Sequence, residues 1–523
     1  MLKYALALRV IKDLITDRAF VRPIGEGTEA ETALDLIMET VSVLDYDTDY
    51  LPGAEFVQVC NDSRKVTAGS IFTAIPGAAV DGKKFIPQAL DKGASVIISQ
   101  ENIQDLLLPG TVNLVVKNAY LVYAMLCEAM YDFPVKDMDC FAVTGTNGKT
   151  TTAMLTRLLL HQADAGCGMI STVEYDLGGG DVKPAERTTP EAAELFAYFA
   201  NMRKRNLHNM VMEVSSHALA QNRIGSLKFQ SAIFTNLTGD HLDYHHTMEE
   251  YFRVKELLFT RHLAPGGKAV INCDDPYGRI LAKKLPPEQV VSFGCSNGQW
   301  RIENIYPTAH GSTFELVCAT IRKKFTIPLA GLYNISNTVG TVLALHATGK
   351  VSLQQSAEIL QNKNFSVPGR LEKFTLNNGA EVFVDYAHTA DALKNVLTTL
   401  QALEHRNLIT VFGCGGDRDK SKRPIMGKIA AGASDKLYIT SDNPRTEDPQ
   451  TIIREICSGI PADCSNWEVI PDRKQAIIAA LKNALPGDII LIAGKGHENY
   501  QEINGVKHHF DDREIVIQNL AGC

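Results

Sequence analysis

The 523-residue chain reads as an α/β protein of three domains: a small α/β domain, a central domain built on a mostly parallel sheet, and a C-terminal Rossmann-like α/β domain. Three observations predict this. At roughly 150 residues per domain, the length allows about three. From residue 138 onward, short apolar runs alternate with stretches of helical period, as in strands joined by helical crossovers. In the last third, four apolar runs each end in a burst of glycines and polar residues, the pattern of parallel strands whose carboxyl ends meet a ligand.

Composition narrows the class. The chain is 45% hydrophobic and 21% charged, with a formal net charge of −8. Acids and bases are interspersed, so no nucleic-acid face is expected. The eleven cysteines form no C-x-x-C pair. That fits reduced thiols in a cytoplasmic protein better than a disulfide framework or a zinc site. No run approaches the ~20 apolar residues of a membrane span. The opening "MLKYALALRVIKDLITDR" is broken by Arg9 and lacks a small-residue cleavage site, so it reads as a helix rather than a signal peptide. A monomer without membrane contact is expected.

The first domain, residues 1–137, contains "NDSRKVTAGSIFTAIPGAAVDGKKFIPQALDKGASVIIS". Short strands and a helix from Pro87 to Lys92 are predicted there. The second, 138–367, opens with a strand at Cys140–Val143 that leads into "GTNGKTT" and a helix. "NMVMEVSSH", "SAIFTNLTGDH" and "GKAVINCDD" supply further strands. "SVPGR", 366–370, reads as a hinge to the third domain, 368–523. There the strands "EVFVDYAH", "NLITVFGCGGDRD", "DKLYITSDNPR" and "DIILIAGKGHE" carry Asp385 and His388, Arg418, Asp442, Asn443 and Arg445, and His497 and Glu498 at their ends. Together these make one candidate site.

"GTNGKTT" departs from the full phosphate-loop pattern, having Val143 where the first glycine would stand. Its physics survives. Gly145 and Gly148 let backbone N–H groups turn toward a phosphate at a helix start. Lys149 reaches terminal phosphates, and the Thr150 hydroxyl suits Mg²⁺. A plain strand–helix turn is the alternative.

Glu213 and His241 each follow a strand and together suit a divalent ion, although His is unusual for Mg²⁺. Taken alone, His241 reads better as a turn cap. Lys255 sits in a helical stripe with Phe252, Phe259 and His262. On periodicity alone it reads better as a lysine snorkelling to water. In "ERTTPEAAEL", Thr189 is a good N-cap and Pro190 a good first helical residue. In "ITSDNPRTEDP", 439–449, Asp442 and Asn443 before Pro444 suit a turn. A turn leaves Arg445 unexplained, and its guanidinium is a rigid fork for a carboxylate.

The motifs "GTNGKTT", "MEVSSHAL", "FTNLTGDHLDYH", "YFRVKELLF", "GLYNISN", "PGR", "DYAHTADAL" and "GKGHE" together resemble the Mur ligase family, the ATP-dependent amino-acid-adding enzymes of peptidoglycan synthesis. The resemblance runs from about residue 57. The first ~50 residues are longer than the family's usual start. "DNPR" is similar to the form in diaminopimelate-adding members, whereas lysine-adding members usually lack the Arg.

The resemblance implies an ATP-dependent ligase adding meso-2,6-diaminopimelate to the D-glutamate of UDP-N-acetylmuramoyl-L-alanyl-D-glutamate through an acyl phosphate. It implies a uridine-binding first domain and nucleotide binding by the second and third. ATP contacts fall on Gly145, Thr146, Asn147, Gly148, Lys149, Thr150, Thr151, Asn334, Asn337, Arg370 and Asp385. Mg²⁺ ligation falls on Thr150, Glu213, His241 and Lys255, the last carbamylated to N6-carboxylysine. Lys149, Lys255, His241 and Glu213 form the implied catalytic set. The acceptor falls on Ser63, Thr188, Thr189, Ser215, Gln221 and Arg223, with Ala78 and Ala79 offering only backbone or apolar contact. The incoming amino acid falls on Arg418, Asp442, Asn443, Pro444, Arg445, Gly494 and Glu498. His388 and the acids around the site are candidate proton acceptors.

Three other readings stay open: the same reaction with L-lysine or another diamino acid, a folylpolyglutamate synthase-like ligase, and a nucleotide-regulated binding module without turnover. Lanthionine has the same charged ends as diaminopimelate and would pass the same filter.

Overall fold

The computed structural model describes residues 2–3, 55–77, 80–101, 103, 106, 111–308, 310–363 and 365–520. Leu2–Lys3 pairs antiparallel with Glu55–Phe56. These two residues are therefore strand and not helix, their backbone groups taken up by a partner strand. The rest of the expected N-terminal helix, with Ala78 and Ala79, lies outside the described residues.

Along the chain, the first elements are β1 (Val59–Cys60), β2 (Ile71–Thr73), α1 (Ile86–Asp91), β3 (Val96–Ser99), β4 (Val112–Val115) and α2 (Ala119–Met130). β1 to β4 pair in sequence order, all parallel. α1 starts one residue before Pro87, which sits in its first turn. There its missing N–H is one the helix start leaves unpaired anyway.

There follow β5 (Asp139–Thr144), α3 (Lys149–Gln162), β6 (Cys167–Ile170), α4 (Ala192–Lys204), β7 (Asn209–Glu213), α5 (Ser216–Ala220), β8 (Phe229–Phe234), α6 (Met248–Arg261) and β9 (Leu263–Asn272). Next come β10 (Val290–Gly294), β11 (Trp300–Thr308), β12 (Gly311–Cys318), β13 (Ile321–Ile327) and α7 (Leu332–Ala347). β6 and β7 are parallel, as are β9, β10 and β11, while β11, β12 and β13 form an antiparallel meander.

The last third holds β14 (Glu372–Thr375), β15 (Glu381–Asp385), α8 (Ala390–Gln401), β16 (Leu408–Phe412), α9 (Lys422–Ala433), β17 (Lys436–Ile439), α10 (Pro449–Cys457), β18 (Trp467–Val469), α11 (Arg473–Asn483), β19 (Ile489–Ala493), β20 (Tyr500–Ile503), β21 (Val506–His509) and α12 (Asp512–Asn519). Its sheet runs β14-β15-β19-β16-β17-β18, parallel except for β14. β19 shows why the run "IILIA" is continuously apolar. Ile489, Leu491 and Ala493 enter one core, and Ile490 and Ile492 enter the other. A parallel strand covered on both faces needs apolar side chains at every position.

The chain packs as two compact units. The first comprises Met1–Ala142, Gly166–Gln230 and Val254–Pro265; the second comprises Val143–Ala165, Ser231–Arg253 and Gly266–Cys523. All ten described cysteines are free. Among the described residues, no helix is long and apolar enough to cross a membrane.

Candidate active site

β5 runs into the loop Gly145–Gly148, which belongs to the second unit. Gly148 has φ +88° and stands at the N-cap of α3, with no side chain capping the helix. A Cβ there would lie 2.3 Å from Asn337 Oδ1, so both the backbone angle and the contact with α7 require glycine. The loop is tied down by Thr146 N donating to Asn236 O at 3.0 Å and Asn147 N donating to Asn236 Oδ1 at 2.9 Å. Lys149 Nζ folds back onto the Gly145 and Thr146 carbonyls at 2.9 and 2.8 Å. Thr150 and Thr151 are buried, and Thr150 Oγ1 accepts from Arg370 Nη2 at 3.1 Å.

Arg370 lies over the Tyr386 ring, 4.4 Å from its centroid. Asp385 is buried at the end of β15 and accepts from Leu371 N at 2.7 Å and Ala387 N at 2.8 Å. Burial pushes its carboxyl up to about 6, against the pull of Arg370 and those two amides. Asn334 donates to Ala330 O at 2.9 Å, and Asn337 to Asn334 Oδ1 at 3.4 Å. The buried Tyr333 hydroxyl and Arg370 Nε have no hydrogen-bond partner. Two orphaned donors among Asn334, Asn337, Arg370 and Asp385 suit a polar ligand such as a nucleotide. The segment expected to be a hinge is tightly packed: a Cβ on Gly369 would come within 2.1 Å of His497 N.

His388 holds its Nδ1 2.9 Å from the Tyr386 carbonyl, so Nδ1 carries the proton and Nε2 keeps a lone pair. Desolvation lowers its pKa below the usual value, opposed by nearby Asp240. His241 is exposed and occupies the N-cap position of a one-turn helix with φ +55°, but its side chain makes no cap bond there, unlike the turn-cap reading. Its Nε2 lies 3.4 Å from Asp240 Oδ2.

The first unit gathers most of the expected acceptor residues. Glu213, fully buried at the end of β7, accepts from Thr172 N at 2.8 Å and Thr172 Oγ1 at 2.9 Å. Thr188 bonds the same Thr172 hydroxyl at 3.1 Å. Thr189 is not the N-cap expected of it. α4 starts at Ala192 behind Glu191, which has no side-chain cap bond. The Thr189 hydroxyl is held elsewhere, donating to Glu213 O at 2.9 Å and accepting from Ser215 N at 3.1 Å. Arg223 donates to Gln221 Oε1 at 2.9 and 2.6 Å and to Thr189 O at 3.0 Å. Ser63 is separate from this network and donates to Gln88 Oε1 at 2.6 Å.

Lys255 lies in the same unit and is only 1% exposed. The snorkelling reading is therefore wrong, because the stem is not long enough to lift this ammonium out of the apolar face of α6. Among the described residues no three His, Cys, Asp or Glu side chains cluster for a metal. The expected set contains just two residues of those types, Glu213 and His241.

In the C-terminal sheet the strand ends converge. Asn443 is buried and central: its Nδ2 donates to Glu498 Oε2 at 2.8 Å, and its Oδ1 accepts from Lys495 Nζ at 3.1 Å and Glu502 N at 3.0 Å. Asp442 Oδ1 accepts from Asn443 N at 2.6 Å, the turn role read from the sequence. Gly494 is required beside it, since a Cβ would lie 2.6 Å from Asp442 Oδ2. Pro444 is buried, its carbonyl packed against Gly416. Arg445, at φ +51°, donates from Nη1 to Gly416 O at 2.7 Å and pairs through Nε with Glu502 at 3.3 Å. Arg418 is exposed and bonds the Asp417 carbonyl at 3.0 Å.

The sequence matches three family profiles in order: "Mur ligase family, catalytic domain" over residues 55–123, "Mur ligase middle domain" over 143–345, and "Mur ligase, glutamate ligase domain" over 369–496. It is 43% identical over 481 residues to a UDP-N-acetylmuramoyl-L-alanyl-D-glutamate–2,6-diaminopimelate ligase of Gloeobacter violaceus, covering 91% of this chain and 96% of that protein. The chain belongs to the Mur ligase family. A Synechocystis protein of the same description is 42% identical over 469 residues, covering 88% of this Mur ligase and 91% of that relative. A solved structure so described superposes with a TM-score of 0.65 at 33% identity, covering 92% of this chain and 99% of that one. A folylpolyglutamate synthase from Mycobacterium tuberculosis, complexed with ADP, has a TM-score of 0.59 at 18% identity over 72% of this chain and 91% of its own, a likeness of fold alone. The three matched segments give this Mur ligase its three-domain α/β architecture.

Three residues that bond candidate site residues of this Mur ligase were missed from the sequence. Asp391 accepts from Asn147 Nδ2 at 3.1 Å. Lys495, fully buried, pairs with Glu498 at 3.3 Å. Gln88 holds Ser63. Lys495 had a visible signal, a lysine between two glycines at the end of an apolar strand. Asp391 and Gln88 had none, since each acts across a long sequence separation.

Proposed function

We propose that this chain adds meso-2,6-diaminopimelate to the D-glutamate of UDP-N-acetylmuramoyl-L-alanyl-D-glutamate, using ATP and working in the cytoplasm as a monomer. The relatives' names support the reaction. The observation that carries the choice of amino acid is that Asn443 stands between groups of opposite charge: the Arg445 guanidinium two residues along, and the Glu498 carboxylate hydrogen-bonded to the Asn443 amide. Lysine ends in a lone ammonium, which Arg445 repels. Diaminopimelate ends in an ammonium and a carboxylate, matching Glu498 with Asn443 on one side and Arg445 on the other. Arg418 holds its other carboxylate.

On this reading the domains divide at 137/138 and 367/368. The acceptor carboxylate attacks the γ-phosphate of ATP, giving an acyl phosphate and ADP. Lys149 and the loop amides neutralise the charge that spreads over the transferred group. The amine of the amino acid then attacks the acyl carbon, a proton leaves the nitrogen, and phosphate departs. His388 Nε2, with its lone pair available, is suited to accept that proton. Thr150, Glu213, His241 and a carbamylated Lys255 would hold Mg²⁺, which supplies further charge neutralisation when bound. Glu213 with both carboxylate oxygens already oriented by Thr172, and Thr150 with its hydroxyl at the loop, are oxygen donors of the kind Mg²⁺ takes. Ser63, Thr188, Thr189, Ser215, Gln221 and Arg223 hold the UDP-linked acceptor.

The test is ADP release with the acceptor and each of meso-diaminopimelate, L-lysine, L-ornithine and lanthionine. Meso-diaminopimelate is expected to be preferred over lysine by at least ~100-fold in kcat/KM, the scale of losing a charged pair. Lys149→Ala is expected to abolish the release. A wild-type preference for L-lysine would overturn the assignment.

A further inference from the structure

Glu447 follows the recognition motif, and neither the turn nor the substrate explains it. Its Oε1 accepts from Asp417 N at 2.6 Å and Arg423 Nη2 at 2.9 Å. Its Oε2 accepts from Arg423 Nη1 at 3.0 Å and Lys420 Nζ at 3.1 Å. Arg423 is fully buried and donates also to Gly415 O at 3.1 Å and Glu455 at 2.5 Å. From the other side, the Asp417 carboxylate accepts from Thr446 N at 3.1 Å and Thr446 Oγ1 at 2.8 Å. Gly416 N donates to Asn443 O at 2.9 Å, and Arg445 closes the ring on Gly416 O. A Cβ on Gly416 would sit 1.9 Å from Pro444 O and 3.3 Å from Glu447 Cβ, so the two loops pack closely at Gly416.

One of these loops carries Arg418 and the other Arg445. Reciprocal bonds between residues 415–417 and 443–447 leave neither loop free to slide against the other. We propose that Glu447, Asp417 and Arg423 form a clasp that fixes the separation of the Arg418 and Arg445 loops, and thereby selects the length of the dicarboxylic amino acid accepted. The bonds of the clasp run between the two loops, so these are positioning residues. The inference rests on the reading that Arg418 and Arg445 hold the two carboxylates.

Glu447→Gln keeps the side chain's shape and removes the charge that Arg423 and Lys420 grip. Asp417→Asn keeps a residue type that tolerates the left-handed φ of +52° found there and removes one acceptor oxygen. In each variant the KM for meso-diaminopimelate is expected to rise about tenfold, the worth of a charged hydrogen bond, with kcat and the KM for ATP within about twofold. Preference for meso-diaminopimelate over the homologue one methylene shorter is expected to fall about fivefold, since a methylene is worth roughly that much or more to a fitted site. Unchanged KM and preference, or an equal rise in KM for ATP, overturns the clasp. Should Glu447→Gln fail to fold by its thermal melt, Asp417→Asn decides alone. Arg418→Ala and Arg445→Ala run alongside. If these leave the KM for meso-diaminopimelate unchanged, the recognition reading has failed and the clasp with it. If they raise it while the clasp variants do not, the clasp alone is wrong.

Discussion

Lys255 shows what one buried charge implies. An ammonium that is 1% exposed in an apolar helix face is costly, and the usual outcomes are a partner, neutralisation or chemical change. Carbamylation changes the sign of the charge and supplies two oxygens, turning a buried cation into an anion suited to a metal. Lys255→Ala is expected to lose at least ~100-fold of the ADP release, the scale of removing a catalytic electrostatic group. Part of that loss is expected to return when short carboxylic acids are added to the variant. Intact-protein mass of the wild type should show the addition of one carbon dioxide. If rescue and mass shift are both missing, Lys255 is a structural lysine. Sequence periodicity placed this residue in the right stripe but could not measure its depth. The snorkelling reading and the burial seen differ only in how far the stem reaches. Thr189 failed for a related reason: Ser/Thr–Pro is a strong cap signal, but the Glu213 carbonyl and Ser215 amide competed for the same hydroxyl and won.

At the level of elements, strands and loop–helix junctions were legible because their signals are local. β5, α3 and the "GTNGKTT" turn are close to where the residues put them, and the four strand ends of the C-terminal sheet do meet. The clasp was not legible, because it joins residues 415–417 and 420–423 to 443–447 through side chains whose direction depends on the fold. The adjacent acids Glu447 and Asp448 make the contrast testable. Asp448 is the N-cap of α10, accepting from Gln450 N at 3.3 Å and Thr451 N at 3.1 Å, and it is exposed. Asp448→Ala is expected to lower stability, because the N-cap of α10 is lost. The KM for the amino acid should be unchanged. Denaturant melts and steady-state kinetics on the same preparation check both halves. A raised KM without loss of stability would make Asp448 part of the clasp instead of a cap.

For the whole molecule, the question is how much of the chain stands alone. The C-terminal sheet has a core on each face. One contains Phe383, Leu491, Ile439 and Met426; the other contains Val382, Val384, Ile490 and Ile477. Among the described residues, Ala330 and the half-buried Tyr333 are the sole members of either core from before residue 369. Inside, the fully buried Arg473 pairs with Asp512 at 2.9 and 2.7 Å, tying α11 to α12 without outside help. A segment of about 150 residues buries enough surface to be stable alone. The fragment 369–523 is therefore expected to melt cooperatively. Saturating ATP should not shift that melt, since Gly145–Thr151, Asn334 and Asn337 are missing from the fragment. The full chain at ~100 times its Kd for ATP should gain about 2.7 kcal/mol from ligand binding to the native state. Calorimetry of both proteins, with and without ATP, checks the pair. A fragment without a cooperative transition would mean that the two cores need the α7 contacts. A fragment stabilised by ATP as strongly as the full chain would move the nucleotide site into the C-terminal sheet and away from the phosphate loop.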